Sequence, residues 1–310
     1  MTTLIYYHDE CLLHDPGQGH PECAERLQAI LAALRTSSFG DQLQWLDAPL
    51  GTRQQALLAH NEALWDEVTA AAPASGRHAL DPDTVMSPGS LGAALRGVGA
   101  ACAGIDVLLH GDINHVFCLT RPPGHHATRK RSMGFCIFNQ VAIAALHAMK
   151  QYNIERIAIV DFDVHHGNGT QDIILGKPGL LYLSTHQYPH YPGSGSQQEN
   201  LGGNIHNVPL ARETEDTQYQ RVFSREVLPE LHAFAPQLLL VSAGFDAHRQ
   251  DPLAGLLLTE ATYHWLGMQL RAIADKHCHG RLLSVLEGGY NLDVLGSSVA
   301  AYCEGALGKS

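Results

Sequence analysis

Apolar residues along the chain follow two alternating patterns. Short, near-continuous runs of Val, Ile and Leu read as buried strands at 3–8 (TLIYYH), 115–120 (HVFCLT), 156–163 (RIAIVDFD), 180–186 (LLYLSTH), 237–246 (QLLLVSAGFD) and 281–290 (RLLSVLEGGY). Stretches with helical spacing lie at 20–36, 91–111, 139–152, 217–234 and 259–277, the first with Leu27, Ile30, Leu31 and Leu34 on one stripe. Continuously apolar strands separated by helices predict an α/β fold with a parallel sheet covered on both faces. No repeat, low-complexity tract or linker divides the chain, so a single domain over 1–310 is expected. The Gly- and Pro-rich pieces at 82–89, 121–124 and 189–203 read as loops at one end of the sheet.

Composition narrows the partners. Hydrophobic residues make up 45 % and charged residues 16 % of the chain, enough for a well-filled core. A net charge of −11 argues against nucleic acid or an anionic membrane surface as partner. No apolar run approaches the roughly 18 residues of a membrane span. The N-terminal MTTLIYYHDE has neither a basic segment nor a long apolar core, so no signal peptide is expected. The seven cysteines form no CxxC pair and mostly sit in apolar stretches, which suits reduced thiols in the cytoplasm. Twenty histidines shift attention to where the histidines stand.

The polar clusters follow the strands. Ligands of open α/β sheets bind outside the carboxyl ends of the strands, and each cluster of interest lies at such an end. In DFDVHHGNGTQ (161–171), alternation in an extended chain would put Asp161, Asp163 and His165 on one side. Asp163 and His165 could hold one metal with Asp161 behind them, and SAGFDAHRQDP offers Asp246 as a third ligand, the number a catalytic Zn²⁺ typically takes. In RPPGHHA (121–127) the prolines favour a rigid loop that could bring His125 and His126 into one site, with Asp161 and Asn168 as partners for their far nitrogens. In LEGGYN (286–291) the glycines allow close backbone approach, and the Tyr290 phenol could stabilise an oxyanion. Each motif alone also fits a helix cap, a salt bridge or a packed turn. Their concentration at neighbouring strand ends favours a metal centre.

Taken in order, RPPGHHA, GFCIFNQVAIAA, DFDVHHGNGTQ, SAGFDAHRQDPLAG and LEGGYN resemble the zinc-dependent histone deacetylase family, which includes bacterial deacetylase-like and acetylpolyamine amidohydrolases. The resemblance runs from about residue 5 to about 300. It implies the three-layer arginase/deacetylase fold, a parallel eight-stranded sheet between helices. It also implies hydrolysis of an acyl amide on an amine such as lysine. By position, Asp163, His165 and Asp246 resemble the zinc ligands. His126 resembles the general base and acid paired with Asn168, His125 its companion paired with Asp161, and Tyr290 the tyrosine that polarises the substrate carbonyl. Asn168 in place of aspartate resembles the class II branch.

The same resemblance assigns Gly134, Phe135, Tyr191, Leu253, Ser87 and Gly288 to substrate binding. Phe135 and Tyr191 would form the aromatic walls of an acyl-lysine tunnel, and Ser87 would accept the substrate N–H. Leu253 stands where a polyamine-selective relative has glutamate. Backbone oxygens around Asp161, Asp163 and His165, with Ser184, resemble an internal K⁺ site. The expected partner is an acylated lysine in a peptide or protein, with a small acylated amine as the alternative. Homo-oligomerisation is not readable. A scaffold with a retired site would lack a ligand, base or tyrosine, and none is lacking. An arginase-type two-metal site would need further carboxylates that this sequence does not show.

Overall fold

The structure, a computed structural model, describes residues 2–111 and 113–308. Its strands are β1 (Thr3–Tyr7), β2 (Leu43–Asp47), β3 (His78–Asp81), β4 (Thr84–Met86), β5 (His115–Cys118), β6 (Ile157–Asp161), β7 (Leu180–Gln187), β8 (Ile205–Leu210), β9 (Leu238–Ala243) and β10 (Leu282–Leu286). Eight form one sheet in the order β2-β1-β5-β10-β9-β6-β7-β8, and every pairing is parallel. β3 and β4 make a separate antiparallel hairpin that reaches into the 82–89 region expected as loop. The expected fold class, a central parallel eight-stranded sheet with helices on both faces, is what the chain adopts.

The helices are α1 (Glu25–Thr36), α2 (Arg53–Ala56), α3 (Glu62–Ala71), α4 (Ser90–His110), α5 (Gln140–Tyr152), α6 (Asn168–Ile174), α7 (Asp216–Val222), α8 (Leu228–Phe234), α9 (Glu260–His277) and α10 (Leu292–Ala306). Successive strand residues point to opposite faces, and the core divides accordingly. Ile5, Phe117, Val160 and Val241 meet apolar residues of α1, α9 and α10 on one face. Leu4, Val116, Ile159 and Leu240 meet α4 and α5 on the other. Small residues let α4 lie close: a Cβ at Gly99 would overlap the Pro49 carbonyl. α4 is also long and apolar enough to cross a membrane, but it is the packed core helix, with 61 % of its apolar window buried.

Three expectations shift. The helix expected from residue 20 starts at Glu25, because His20–Ala24 form a loop around the fully buried Glu22. Glu22 takes two 2.7 Å bonds from the Arg121 guanidinium and one of 3.1 Å from Arg26 Nη1. The helix expected over 217–234 is α7, a π-helical turn at Phe223–Val227, then α8. Finally, β2 and β8, which lack the continuous apolar pattern of the other strands, are added by the structure, as is α10, whose stripe of Leu295, Val299, Tyr302 and Ala306 joins the core. β8 is a margin strand. The carbonyls of Asn204 and Leu210 receive bonds from Tyr182 and Tyr188 on the β7 side. Its alternate residues therefore face outward, where the Asn207 N–H goes to Asn200 Oδ1 at 2.6 Å and Pro209 has no N–H at all.

Candidate active site

With every strand of the sheet parallel, the C-terminal ends of β5, β6, β9 and β10 open onto one edge, and the polar segments that follow them converge there. β6 ends at Asp161, so the extended alternation read from the sequence does not continue through His165. A chain of local bonds takes over. Asp161 Oδ1 accepts the Asp163 N–H at 3.2 Å, and Asp163 Oδ1 accepts the His165 N–H at 2.9 Å. From the segment after β9, Asp246 Oδ1 accepts the Val164 N–H at 2.9 Å. From the segment after β10, the Gly288 N–H donates to Asp163 Oδ2 at 2.8 Å.

These bonds bring His165 Nδ1 to 3.1 Å from both Asp163 Oδ1 and Asp246 Oδ2. The three donor groups lie within 4.8 Å of one another and all are buried. Burial and the Asp163 charge raise the Asp246 carboxyl. Asp163 is held low despite its burial, by His125 and His165. The His165 imidazolium is stabilised up to about 10, against burial, by Asp246 and Asp163. Two buried carboxylates and an imidazole crowded on one point form a donor set that fits a divalent cation such as Zn²⁺. Close backbone approach is what the glycines supply: a Cβ at Gly244 would overlap Asp163, and one at Gly288 would overlap Asp246. A second group, His125, Cys136 and Glu287, is equally tight. There Glu287 is already committed. Its Oε2 accepts the N–H groups of Gly124 (2.7 Å) and His125 (3.1 Å), and its Oε1 accepts the Ser242 O–H (3.0 Å).

That clasp by Glu287 fixes the two-histidine loop. His125 Nδ1 donates to Asp161 Oδ2 at 3.0 Å, and the Tyr182 hydroxyl donates to the same oxygen at 2.9 Å. His126 Nδ1 donates to Asn168 Oδ1 at 2.8 Å, while Asn168 Nδ2 faces Met133 Sδ at 3.4 Å. The Asn168 carbonyl keeps the proton on Nδ1 and leaves Nε2 of a neutral His126 bare. The two rings diverge electrically. Burial and the neighbouring His125 and His165 push His126 well below the usual range. Asp161 and Asp163 outweigh burial at His125 and push it well above. A ring held neutral thus sits beside a ring held charged.

Tyr290 closes the group. Arg26 Nε and Nη2 donate to the carbonyls of Gly289 (2.6 Å) and Glu287 (2.5 Å), and its guanidinium lies 4.7 Å from the Tyr290 ring centre. Burial raises the phenol well above its ordinary value, so it keeps its proton and can donate it in a hydrogen bond. His126, His165 and Tyr290 face a cavity of about 210 Å³ whose walls include Gly134, Phe135, Tyr191 and Leu253, with Asp83 and His190. Phe135 stands edge-on to Tyr290 at 5.8 Å, and Tyr191 edge-on to His126 at 5.1 Å.

The structure therefore unites the eight residues expected as catalytic or metal-holding and puts Gly134, Phe135, Tyr191 and Leu253 in the wall. Two expectations fail. Ser87 is buried away from the cavity, its hydroxyl accepting the Asp15 N–H at 2.9 Å and donating to the Leu13 carbonyl at 3.3 Å. Asp83, four residues earlier, stands among the wall residues instead. Gly288 does not line the cavity; it lies beneath the carboxylates. Asp83, His190, Glu287 and Arg26 were not singled out from the sequence. The acids of DPDTVMS and the histidine of YPHYPG were visible there, with nothing to say which way they would face.

A neutral imidazole, a protonated phenol and a trio that fits a cation surround one narrow cavity, the arrangement a hydrolase could use. Residues 20–306 match the histone deacetylase domain. The chain is 38 % identical to histone deacetylase 14, chloroplastic, of Arabidopsis thaliana, over 99 % of this chain and 77 % of that protein. It is 34 % identical to the histone deacetylase-like amidohydrolase of Pseudomonas aeruginosa, over 93 % of this chain and 82 % of that one. The crystal structure of the HDA15 HD domain superposes with a TM-score of 0.93 at 34 % identity, covering 100 % of this chain and 90 % of that one. The chain belongs to the histone deacetylase family, and its relatives include both deacetylases and amidohydrolases.

Proposed function

We propose that this protein is a zinc-dependent deacylase that hydrolyses the acyl amide of acyl-lysine in peptides or proteins. The observation that carries the reading is the His126–Asn168 pair, which leaves a bare, neutral Nε2 facing the same cavity as Tyr290 and His165. Zn²⁺ held by Asp163, His165 and Asp246 would supply Lewis-acid polarisation of the amide carbonyl and a lowered pKa for water. His126 Nε2 takes a proton from the attacking water, and Asn168 steadies the ring as it becomes charged. The Tyr290 hydroxyl donates to the oxygen on which negative charge develops. His126 then returns its proton to the leaving nitrogen, so amide and water become carboxylic acid and amine, which part as carboxylate and ammonium. Phe135 and Tyr191 flank the alkyl stem of the acyl-lysine and exclude water.

A small acylated amine such as an acetylpolyamine is the second reading. Asp83 in the cavity wall suits a cationic chain, whereas Leu253 gives a second ammonium no partner. Turnover of the zinc-loaded protein on an acetyl-lysine peptide and an acetylpolyamine, side by side, separates them. Preference for the peptide supports the first reading, preference for the polyamine the second, and a rate indifferent to chelation sinks both. A K⁺ ion near Asp161, Asp163, His165 and Ser184 has one support, the strand register that pairs Ser184 with Asp161. Placement in the cytoplasm draws on the seven free cysteines.

A further inference from the structure

Between the two-histidine loop and the wall residues Gly134 and Phe135, the chain reads Thr128-Arg129-Lys130-Arg131. The three bases are consecutive and exposed, in a chain whose net charge is −11. Their backbone is held rigidly. The Thr128 N–H donates to the Arg131 carbonyl at 2.9 Å, and the Thr128 hydroxyl accepts the N–H groups of Lys130 (3.2 Å) and Arg131 (3.0 Å). From outside, Arg129 N–H goes to Asp172 Oδ2 at 2.9 Å, and the Arg129 carbonyl takes the Asn61 N–H at 3.0 Å. Asp172 is thus the acid beside the turn, and among the described residues its side chain bonds the backbone of the turn and none of the three basic side chains. Among the described residues none of the three basic side chains makes a hydrogen bond or ion pair with another. Gly134, three residues after Arg131, stands in the cavity wall.

We propose that the Arg129–Arg131 turn is a subsite for acidic residues flanking the acyl-lysine of a peptide or protein substrate. This rests on the acyl-lysine reading and deepens it. Three unpaired cations on a pre-formed turn lose little freedom when they meet carboxylates. The chain passes from Arg131 to the wall residue Gly134 within three residues, which would bring a peptide whose acyl-lysine enters the cavity close to the turn. Asp83, in the wall, repels a flanking acid from its own side and so favours one direction of approach. Exposed pairs are screened within about 8 Å at physiological salt, so the preference fades as salt rises.

The test compares acetyl-lysine peptides flanked by glutamates or by glutamines, with kcat/KM measured at low and high salt. The proteins are the zinc-loaded wild type and the R129A/K130A/R131A variant. The acidic-to-neutral ratio is taken within each enzyme, so a general change in activity cancels. The wild type is expected to favour the acidic peptide about fivefold at low salt, the ratio falling towards one in the variant and at high salt. A wild-type ratio of one, or a preference that the variant retains, overturns the subsite. Silence on both peptides overturns the deacylase reading instead. Fluorescence anisotropy of the labelled acidic peptide then decides the subsite: binding that the variant loses supports it, and binding that is absent or unchanged overturns it.

Discussion

Asp251 Oδ2 accepts the backbone N–H of Tyr290 at 2.7 Å. Its other oxygen accepts the Leu253 N–H at 2.9 Å, and the Leu253 carbonyl faces His190 Nε2 at 3.0 Å. One buried carboxylate therefore sets the spacing between the phenol and the cavity wall. An asparagine offers only one oxygen and turns its NH₂ towards an N–H. Asp251→Asn is expected to lower kcat about 10- to 100-fold, the cost of leaving one buried N–H unpaired, with a smaller change in KM. A fall confined to KM in steady-state kinetics would show that Asp251 does not position Tyr290.

Tyr290→Phe removes the hydroxyl and keeps the ring against Phe135 and Arg26. Turnover of an acetyl-lysine peptide is expected to fall about 10²–10³-fold at nearly unchanged KM. Full activity in the variant would remove Tyr290 from the chemistry.

Asp246→Ala takes one carboxylate from the trio and leaves the Val164 N–H without its partner. The variant is expected to bind zinc far below one equivalent by elemental analysis after dialysis and to lose activity. Treating the wild type with a chelator should abolish activity, and added Zn²⁺ should restore it. Retention of a full equivalent by the variant would mean the ion is held elsewhere.

Leu253→Glu adds a carboxylate to the cavity wall. The ratio of kcat/KM for acetylpolyamine over acetyl-lysine peptide is expected to rise about tenfold, within the range one polar contact contributes. An unchanged ratio would show that Leu253 does not govern this choice.

Acid should unfold the protein through histidines buried without charge. Burial pulls His60 down to about 4 and His115 to about 3. The unfolded chain takes up these protons near 6.5, whereas the folded one refuses them until about 4 and 3. The stability they confer is therefore complete above 6.5 and is lost as the pH falls towards the folded values. Each contributes up to about 1.4 kcal/mol per pH unit in that window. Urea unfolding from about pH 7 to about pH 4 should show this slope, and His60→Gln should flatten it by about one histidine's share. An equal slope in the variant would assign the acid sensitivity to other groups.

The strands that position the site were legible because they are buried on both faces. Alternation of apolar and polar residues is unnecessary where, as in Ile157–Asp161, every residue is covered. β2 has one covered flank and a mixed sequence, and β8 carries His206, Asn207 and Pro209, so neither announces itself. The trio expected as ligands, the histidine pair and Tyr290 were legible because each follows an apolar run. Their support was not: Glu22, Arg26 and Glu287 are ordinary charged letters until the fold buries them together. Ser87 was misplaced for a related reason. The resemblance that assigned it matches a position and not an orientation, and here the β3–β4 hairpin presents Asp83 while Ser87, just after β4, is buried against Leu13 and Asp15.

The outward side of β8 has a consequence for the molecule in concentrated solution. A sheet margin with free N–H groups is a template on which a strand from another copy can pair and then recruit a third. Here the donor of Asn207 is consumed by Asn200 and that of position 209 is missing because the residue is proline. Two successive outward donors are withheld, which makes that margin a poor template for a strand from another molecule.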